Sequence, residues 1–270
     1  MEQKQKYLWY TDTHLDKLTP WAFISFIRSL NKQKPSGVFL TGDISNGIFT
    51  PFHLMVLAKT VKCPIYFILG NHDYHLTGLR KQSIKIKKLC RKYSNLIWLS
   101  QSDVIPLNEE VALIGHEGWY DAQIGNPSYL KYTLDWILIE EMKNLPTMEE
   151  RLKYFKELSK NSCDSIAKKL QKAIDSGYKS IYILSHFPPW KEATRDQGTI
   201  LENFWLPYNV NFSLGQTIED IMKDHKKRYV TVLSGHTHQD AWIHVARNIE
   251  CKVNRAKYYG DLRNEEHIFI

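Results

Sequence analysis

Short apolar runs rich in β-branched and aromatic residues recur along the chain: KYLWYTD, GVFLTGD, PIYFILGN, LIWLS, VALIGHEG, SIYILSH and RYVTVLSGH. Runs of this length and composition read as strands. Between many of them apolar residues return at helical spacing, and strand alternating with helix predicts an α/β domain. Helix starts are marked at Thr19-Pro20 and Thr50-Pro51, each a capping hydroxyl before a first-turn proline. Thr147 with Glu150, and Ser213 with Gln216, have capping-box spacing. Near the end, AWIHVARNIECKV and EEHIFI follow one another as strands with no helix between them, which predicts a mixed sheet.

Two segments interrupt the alternation. Residues 127–177 carry the pattern of two or more helices packed on the domain as an insert. Residues 187–212, FPPWKEATRDQGTILENFWLPYNVNF, have no clear period, and a loop that long inside a compact domain is usually functional or disordered. Phe187, Trp190, Phe204 and Trp205, with Arg195 among them, favour function. With no internal repeat and no low-complexity linker, residues 1–270 read as a single domain.

Composition narrows the class. A hydrophobic content of 43% with 24% charge suits a globular chain of 270 residues with a full core. No apolar run approaches the roughly 20 residues of a membrane helix, and the polar start MEQKQKYLWYTD lacks the apolar stretch of a secretory signal. Cys63, Cys90, Cys163 and Cys251 are scattered and form no CxxC pair. They read as reduced thiols, and the expected location is cytoplasmic. The net charge of +7 favours anionic partners: phosphorylated metabolites, nucleotides or nucleic acid. Much of it sits in residues 79–93, where Ile86, Leu89, Cys90 and Tyr93 fall at helical spacing. The basic residues there read as the wet face of an amphipathic helix rather than a nucleic-acid tract.

Five of the strands end alike. The first ends in Asp12-Thr-His14, the second in Gly42-Asp43, the third in Gly70-Asn71-His72-Asp73, and two later ones in His186 and in Gly235-His236-Thr-His238. Open α/β sheets bind ligands at the carboxyl ends of their strands. Clustered there, these groups form a carboxylate, imidazole and amide set suited to divalent metals of intermediate softness. Asp12 and His14, like His236 and His238, are two residues apart, so in extended chain each pair projects to one side. Glycine directly before Asp43, Asn71 and His236 permits a sharp turn and a close backbone approach.

This ordered set, D-x-H, G-D, G-N-H-D, a later strand-end H and G-H-x-H, resembles the calcineurin-like metallophosphoesterases, with no motif missing between residues 12 and 238. The resemblance implies a four-layer α/β/β/α sandwich with the site at one edge of two facing sheets. It implies two divalent cations, one held by Asp12, His14, Asp43 and His238, the other by Asp43, Asn71, His186 and His236, with Asp43 bridging. His72 would face the leaving group, and Asp73 would orient the turn or His72. With no cysteine ligand, Mn, Fe or Zn is expected. Such a pair acidifies a bridging water from a pKa of about 15.7 towards 7 for attack on a phosphate monoester or diester, and His72 would protonate or stabilise the departing alkoxide.

The expected substrate is a nucleotide or a small phosphorylated molecule. Residues 116–123, HEGWYDAQ, and the 187–212 loop are expected over the metals, where His75, His116, Trp119, Tyr120, Trp190 and Arg195 would pack a base or grip a second phosphate. The alternative for the aromatics is core. After Gly42-Asp43 comes ISNG, not the arginine-bearing continuation of the phosphoprotein phosphatases, so protein phosphatase activity is not expected. One rival is a nuclease like the double-strand-break repair exonucleases, although no appended DNA-binding domain or coiled coil is evident. The other is a non-catalytic scaffold, against which the intact ligand set argues.

Overall fold

The computed structural model describes residues 4–196, 199–256 and 266–270. Its strands are β1 (Lys6–Tyr10), β2 (Gly37–Thr41), β3 (Ile65–Ile68), β4 (Leu96–Trp98), β5 (Ile105–Pro106), β6 (Val111–His116), β7 (Ser180–Ser185), β8 (Arg195–Asp196), β9 (Thr199–Ile200), β10 (Tyr229–Ser234), β11 (Ala241–Ala246), β12 (Ile249–Val253) and β13 (Glu266–Phe269). Its helices are α1 (Pro20–Gln33), α2 (Thr50–Thr60), α3 (Leu79–Lys92), α4 (Asp135–Leu138), α5 (Glu140–Lys143), α6 (Met148–Asp175) and α7 (Phe212–Met222). One sheet runs β13-β1-β2-β3-β4 and a second runs β11-β12-β10-β7-β6-β5, while β8 and β9 form a separate hairpin. Strands β1 to β4 are parallel, as are β6, β7, β10 and β12. Strands β13, β5 and β11 join antiparallel at the edges.

Alternation along each strand builds the layers. Tyr7 and Trp9 of β1, Phe39 of β2, and Tyr66 and Ile68 of β3 share one cluster with Leu113 of β6, Leu184 of β7 and Leu233 of β10. That cluster is the seam between the sheets. The alternate residues of the first sheet, Leu8, Tyr10, Val38, Leu40, Ile65 and Phe67, pack instead with Phe26 and Leu30 of α1, Leu54 and Leu57 of α2 and Ile86 of α3. Those of the second sheet, Ala112, Ile114, Ile181, Ile183, Val230 and Val232, pack with Ile166 and Leu170 of α6 and Leu214 and Ile218 of α7. The result is the α/β/β/α order expected from the motifs. Each large side chain buried this way contributes roughly 1.5–3 kcal/mol, so packing between layers is what holds the strand ends level.

Local signals had mixed outcomes. Thr19 caps α1 by accepting from Ala22 N at 3.2 Å, and Thr147 with Glu150 forms a full capping box on α6. Thr50 does not cap α2, because its hydroxyl donates to Asp73 Oδ1 at 2.8 Å. Ser213 lies inside α7, whose cap is the Asn211 side chain. The segment read as the last strand, β13, crosses to the first sheet beside β1 rather than following β12. Helix α3 is amphipathic as expected, with Ile86 buried and Leu89 and Cys90 against the core. Residues 127–177 contain a 3-10 turn, α4, α5 and α6. Within 187–212, Gln197 and Gly198 lie outside the described residues. No described helix is long and apolar enough to cross a membrane.

Lys169 of α6 ties the two sheets. Its buried Nζ donates to Leu99 O at 2.7 Å and to Gly115 O at 3.0 Å. Burial pushes this ammonium down to about 8. Between that value and the ordinary lysine range the unfolded chain holds the extra proton, so stability must rise with pH there. Relative to Lys169→Met, the wild type is expected to gain roughly 2 kcal/mol of unfolding free energy between pH 8 and pH 10 in denaturant titrations. Parallel stability curves for the two proteins would refute the assignment.

Candidate metal centre

The strand ends meet where the two sheets face each other, and the backbone there is bent hard. Asp12, His14, Asp43, His236 and His238 all have positive φ, between 38° and 69°. They are five of the eight non-glycine residues in that region among those described. Asp and His tolerate it better than most side chains, yet each such residue costs about 1–2 kcal/mol. The Asp12/His14 and His236/His238 pairs are therefore not extended, contrary to expectation, and left-handed turns rather than strand alternation aim them. Glycine is required beside them: a Cβ on Gly70 would overlap the Asp43 carboxylate, and one on Gly235 would overlap Thr11 and Asp12.

Bonds between the sheets fix the arrangement. Asp12, from the first sheet, accepts from His236 N at 3.1 and 3.0 Å, and its Oδ2 accepts from the Thr11 hydroxyl at 2.5 Å. His186, from the second sheet, meets Thr41 O through Nδ1 at 2.8 Å. A carbonyl only accepts, so Nδ1 carries the proton and Nε2 presents a lone pair. By the same logic His236 donates through Nε2 to Tyr208 O at 3.1 Å, leaving Nδ1 as its lone pair.

Two clusters of donor atoms result. Atoms of Asp12, His14, Asp43 and His238 lie within 4.8 Å of one another, as do atoms of Asp43, His186 and His236. Asp43 belongs to both. Its Oδ2 is 4.0 Å from His14 Nε2 and its Oδ1 is 3.5 Å from His186 Nε2. Asn71 joins the second cluster, with Oδ1 3.2 Å from His186 Nε2, two lone pairs facing each other.

The electrostatics match cation ligands. Burial, then the Asp12 and Asp73 carboxylates, push Asp43 well above the usual carboxylate range. Burial opposes ionisation of Asp12 too, but His238 beside it outweighs burial and lowers it. Burial lowers His14 strongly and brings His236 down to about 3 and His72 to about 4, so these imidazoles are neutral at pH 7. The described ion-pair partners of Asp12 and Asp43 are all histidines. Burial opposes a charge on His238, but the Asp12 carboxylate outweighs it and raises that imidazole. The nitrogen and carbonyl lone pairs around Asp43 carry no charge, and divalent cations would supply it with the right softness.

The other expected site residues divide. His72 sits at the mouth, its N–H donating to Asp43 Oδ1 at 2.9 Å and its ring 4.4 Å from that of His75. Asp73 orients the turn: its carboxylate accepts from Gly70 N, Ile44 N, Ser45 N and the Thr50 hydroxyl, locking two ligand loops together. His75 is buried on Asp135, with Nε2 2.7 Å from Oδ1, and has no room for substrate. Trp119 and Tyr120 are core residues packed on Phe187. Trp190 is core as well, its Nε1 donating to Glu219. The 116–123 segment is thus folded inward, and His116 faces Glu117 at 3.4 Å rather than the clusters. Arg195 lies on the β8–β9 hairpin.

Sequence reading missed four contributors. Asp135, from α4, accepts from Asn71 Nδ2 at 3.0 Å and from Tyr120 OH at 3.1 Å. Burial opposes its ionisation, but the hydrogen bonds from His75 and Asn71 outweigh that and keep it a carboxylate. Buried Glu117 accepts from Trp98 Nε1 and the Ser100 hydroxyl at 2.9 and 2.7 Å, bracing the sheets behind the site. Thr11 and Tyr208 were also missed. Beside Tyr208 lies an aromatic cluster of Phe204, Trp205, Tyr129 and Tyr132, with Trp205 46% exposed.

No curated protein matches the sequence. Among solved structures, the phosphopantetheinyl hydrolase of Mycobacterium tuberculosis is similar at TM-score 0.69 and 12% identity, covering 99% of this chain and 97% of its own. A dimetal phosphatase from Danio rerio is similar at TM-score 0.57 and 12% identity, covering 93% and 87%. TT1561 of Thermus thermophilus is similar at TM-score 0.55 and 12% identity, covering 99% of both chains. At that identity the likeness shows the shared fold. The model of the calcineurin-like phosphoesterases matches residues 6–240, a span that includes all five motif-bearing strand ends, and the chain belongs to that family.

Proposed function

We propose that the protein is a dinuclear metal-dependent phosphoesterase. The observation that carries this reading is Asp43, whose two oxygens face two separate donor clusters. Asp12, His14, Asp43 and His238 would hold one cation, and Asp43, Asn71, His186 and His236 the other. Two divalent cations so held would acidify a water and polarise the phosphate. The dimetal phosphatase of the same fold supports a double occupancy.

His72 meets the leaving group. Burial, then His75, keep its ring neutral at pH 7, so it assists the departing oxygen through an N–H hydrogen bond rather than as a charged acid. Asp73 holds the ligand loops and plays no part in proton transfer. The substrate is nucleotide-like or another small phosphoester with a planar or apolar part, for which Tyr208, Trp205 and their neighbours offer a surface beside His236.

Metal analysis after manganese loading is expected to give two ions per chain, with hydrolysis of an aryl phosphodiester or monoester that chelation abolishes. Asp43→Asn should remove both ions and all turnover. Wild-type protein that binds none would end the reading and favour a scaffold. His72→Ala should retain both ions and lose roughly 10²–10⁴-fold in kcat. The ratio of wild-type to His72→Ala rates should stay flat from pH 6 to 8. A tenfold fall per pH unit would instead make His72 a charged acid.

A further inference from the structure

We propose that Asp135, on α4 of the helical insert, is the positioning residue that keeps Asn71 in its cation-binding orientation. The inference rests on the two-cation reading and adds a residue that no motif contains.

The two ends of an asparagine amide are nearly equal in shape, so hydrogen bonds decide which way it points. On the site side Asn71 meets His186 Nε2 at 3.2 Å. That nitrogen has only a lone pair, because Nδ1–H is spent on Thr41 O. Left to itself, Asn71 would turn its NH2 towards His186 and close a good hydrogen bond. Such a flip would remove the oxygen ligand and put two protons where the cation belongs. Asp135 opposes it. Its Oδ1 lies 3.0 Å from Asn71 Nδ2, and after a flip two oxygens would face each other in a buried pocket.

The carboxylate is itself well held. His75 Nε2 donates to Oδ1 at 2.7 Å and Tyr120 OH to Oδ2 at 3.1 Å. The insert around it is clamped to the ligand loop. Leu76 N donates to Leu138 O at 2.7 Å, Glu140 N donates to Thr77 O at 3.2 Å, and the Glu141 carboxylate accepts from Leu79 N and Arg80 N at the start of α3. Outer partners that orient metal ligands typically govern cation affinity 10–100-fold.

The test is a swap of the two side chains, read by manganese titration of the full chain. Asp135→Leu, which leaves Asn71 Nδ2 without its acceptor, should weaken the second manganese ion 10–100-fold and leave the first near its wild-type affinity. The spin-coupled dimanganese resonance should then give way to that of an isolated ion. Asn71→Asp alone, which opposes two carboxylates, should do the same. The double variant Asn71→Asp with Asp135→Asn restores one donor facing one acceptor, and should recover most of the second-ion affinity and the coupled signal. A merely structural Asp135 would give no such rescue. Tyr120→Phe removes one of the two remaining side-chain bonds to the Asp135 carboxylate, leaves Oδ1 held by His75, and should shift second-ion affinity less than threefold.

Asp135→Leu with two ions at unchanged affinity, or a double variant no better than the worse single one, overturns the proposal. If the single variants misfold, the double variant alone decides, since it must then both fold and bind two ions. Wild-type protein binding fewer than two ions would refute the dinuclear reading itself, a separate failure.

Discussion

Two carboxylates buried within reach of each other are the constraint on which this structure turns. Asp12 and Asp43 share one cluster of donor atoms, out of water; burial keeps the His14 and His236 imidazoles near them neutral, while Asp12 raises His238. Charge taken out of water without a partner costs several kcal/mol per ion. Divalent cations held by these donors would reverse that balance, since facing lone pairs would become ligands rather than repulsive neighbours. The fixed tautomers of His186 and His236 point the same way, since each spends its one N–H on a backbone carbonyl turned away from the cluster.

Holding these groups together bends five backbone positions into the left-handed region. Strain of that kind persists only where the surroundings over-determine it. Here they do so twice. The strands behind the turns are packed on both faces, and the turns themselves are laced together, Asp12 N to Gly42 O, His14 N to Asp43 O and Gly235 N to His186 O, all at 3.0–3.1 Å. Release of one turn would break bonds in its neighbours, so the site holds as a unit.

The strands and helices were legible in the sequence because each rests on a local run or period, as helical spacing marked α3, whereas the order of the layers came only with the family resemblance. The convergence of the strand ends was legible because each sets Asp, Asn or His directly after an apolar run, and seven of these side chains, with Asn71 beside His186, do meet in the two clusters. What failed was whatever depends on a partner far along the chain. Trp119, Tyr120 and Trp190 looked available for substrate, yet nothing in their local sequence says that Phe187 and Glu219 enclose them. Thr50 carried a helix-start signature, but Asp73 offered its hydroxyl a buried acceptor that outcompeted the cap. Asp135 sits in an ordinary amphipathic context, 64 residues from the amide it faces. The path of β13 to the first sheet was equally hidden, because a strand's pattern records that it pairs and not with which sheet.

The two halves of the centre are therefore built on different logic. Asp12, His14 and His238 come from strand ends of the two sheets, and mutual backbone bonds brace them, so this half depends on the sandwich alone. Asn71 enters the other half from a loop whose far side rests on α4 and α5. A neutral amide binds a cation weakly and reversibly orients, whereas a carboxylate or a tautomer-locked imidazole does not turn its charge away. The half that relies on the amide is the half that needs an outside acceptor, and the helical insert supplies it. With Asn71 a ligand, as proposed, the insert would be part of the centre's construction, placed where the weakest ligand requires support.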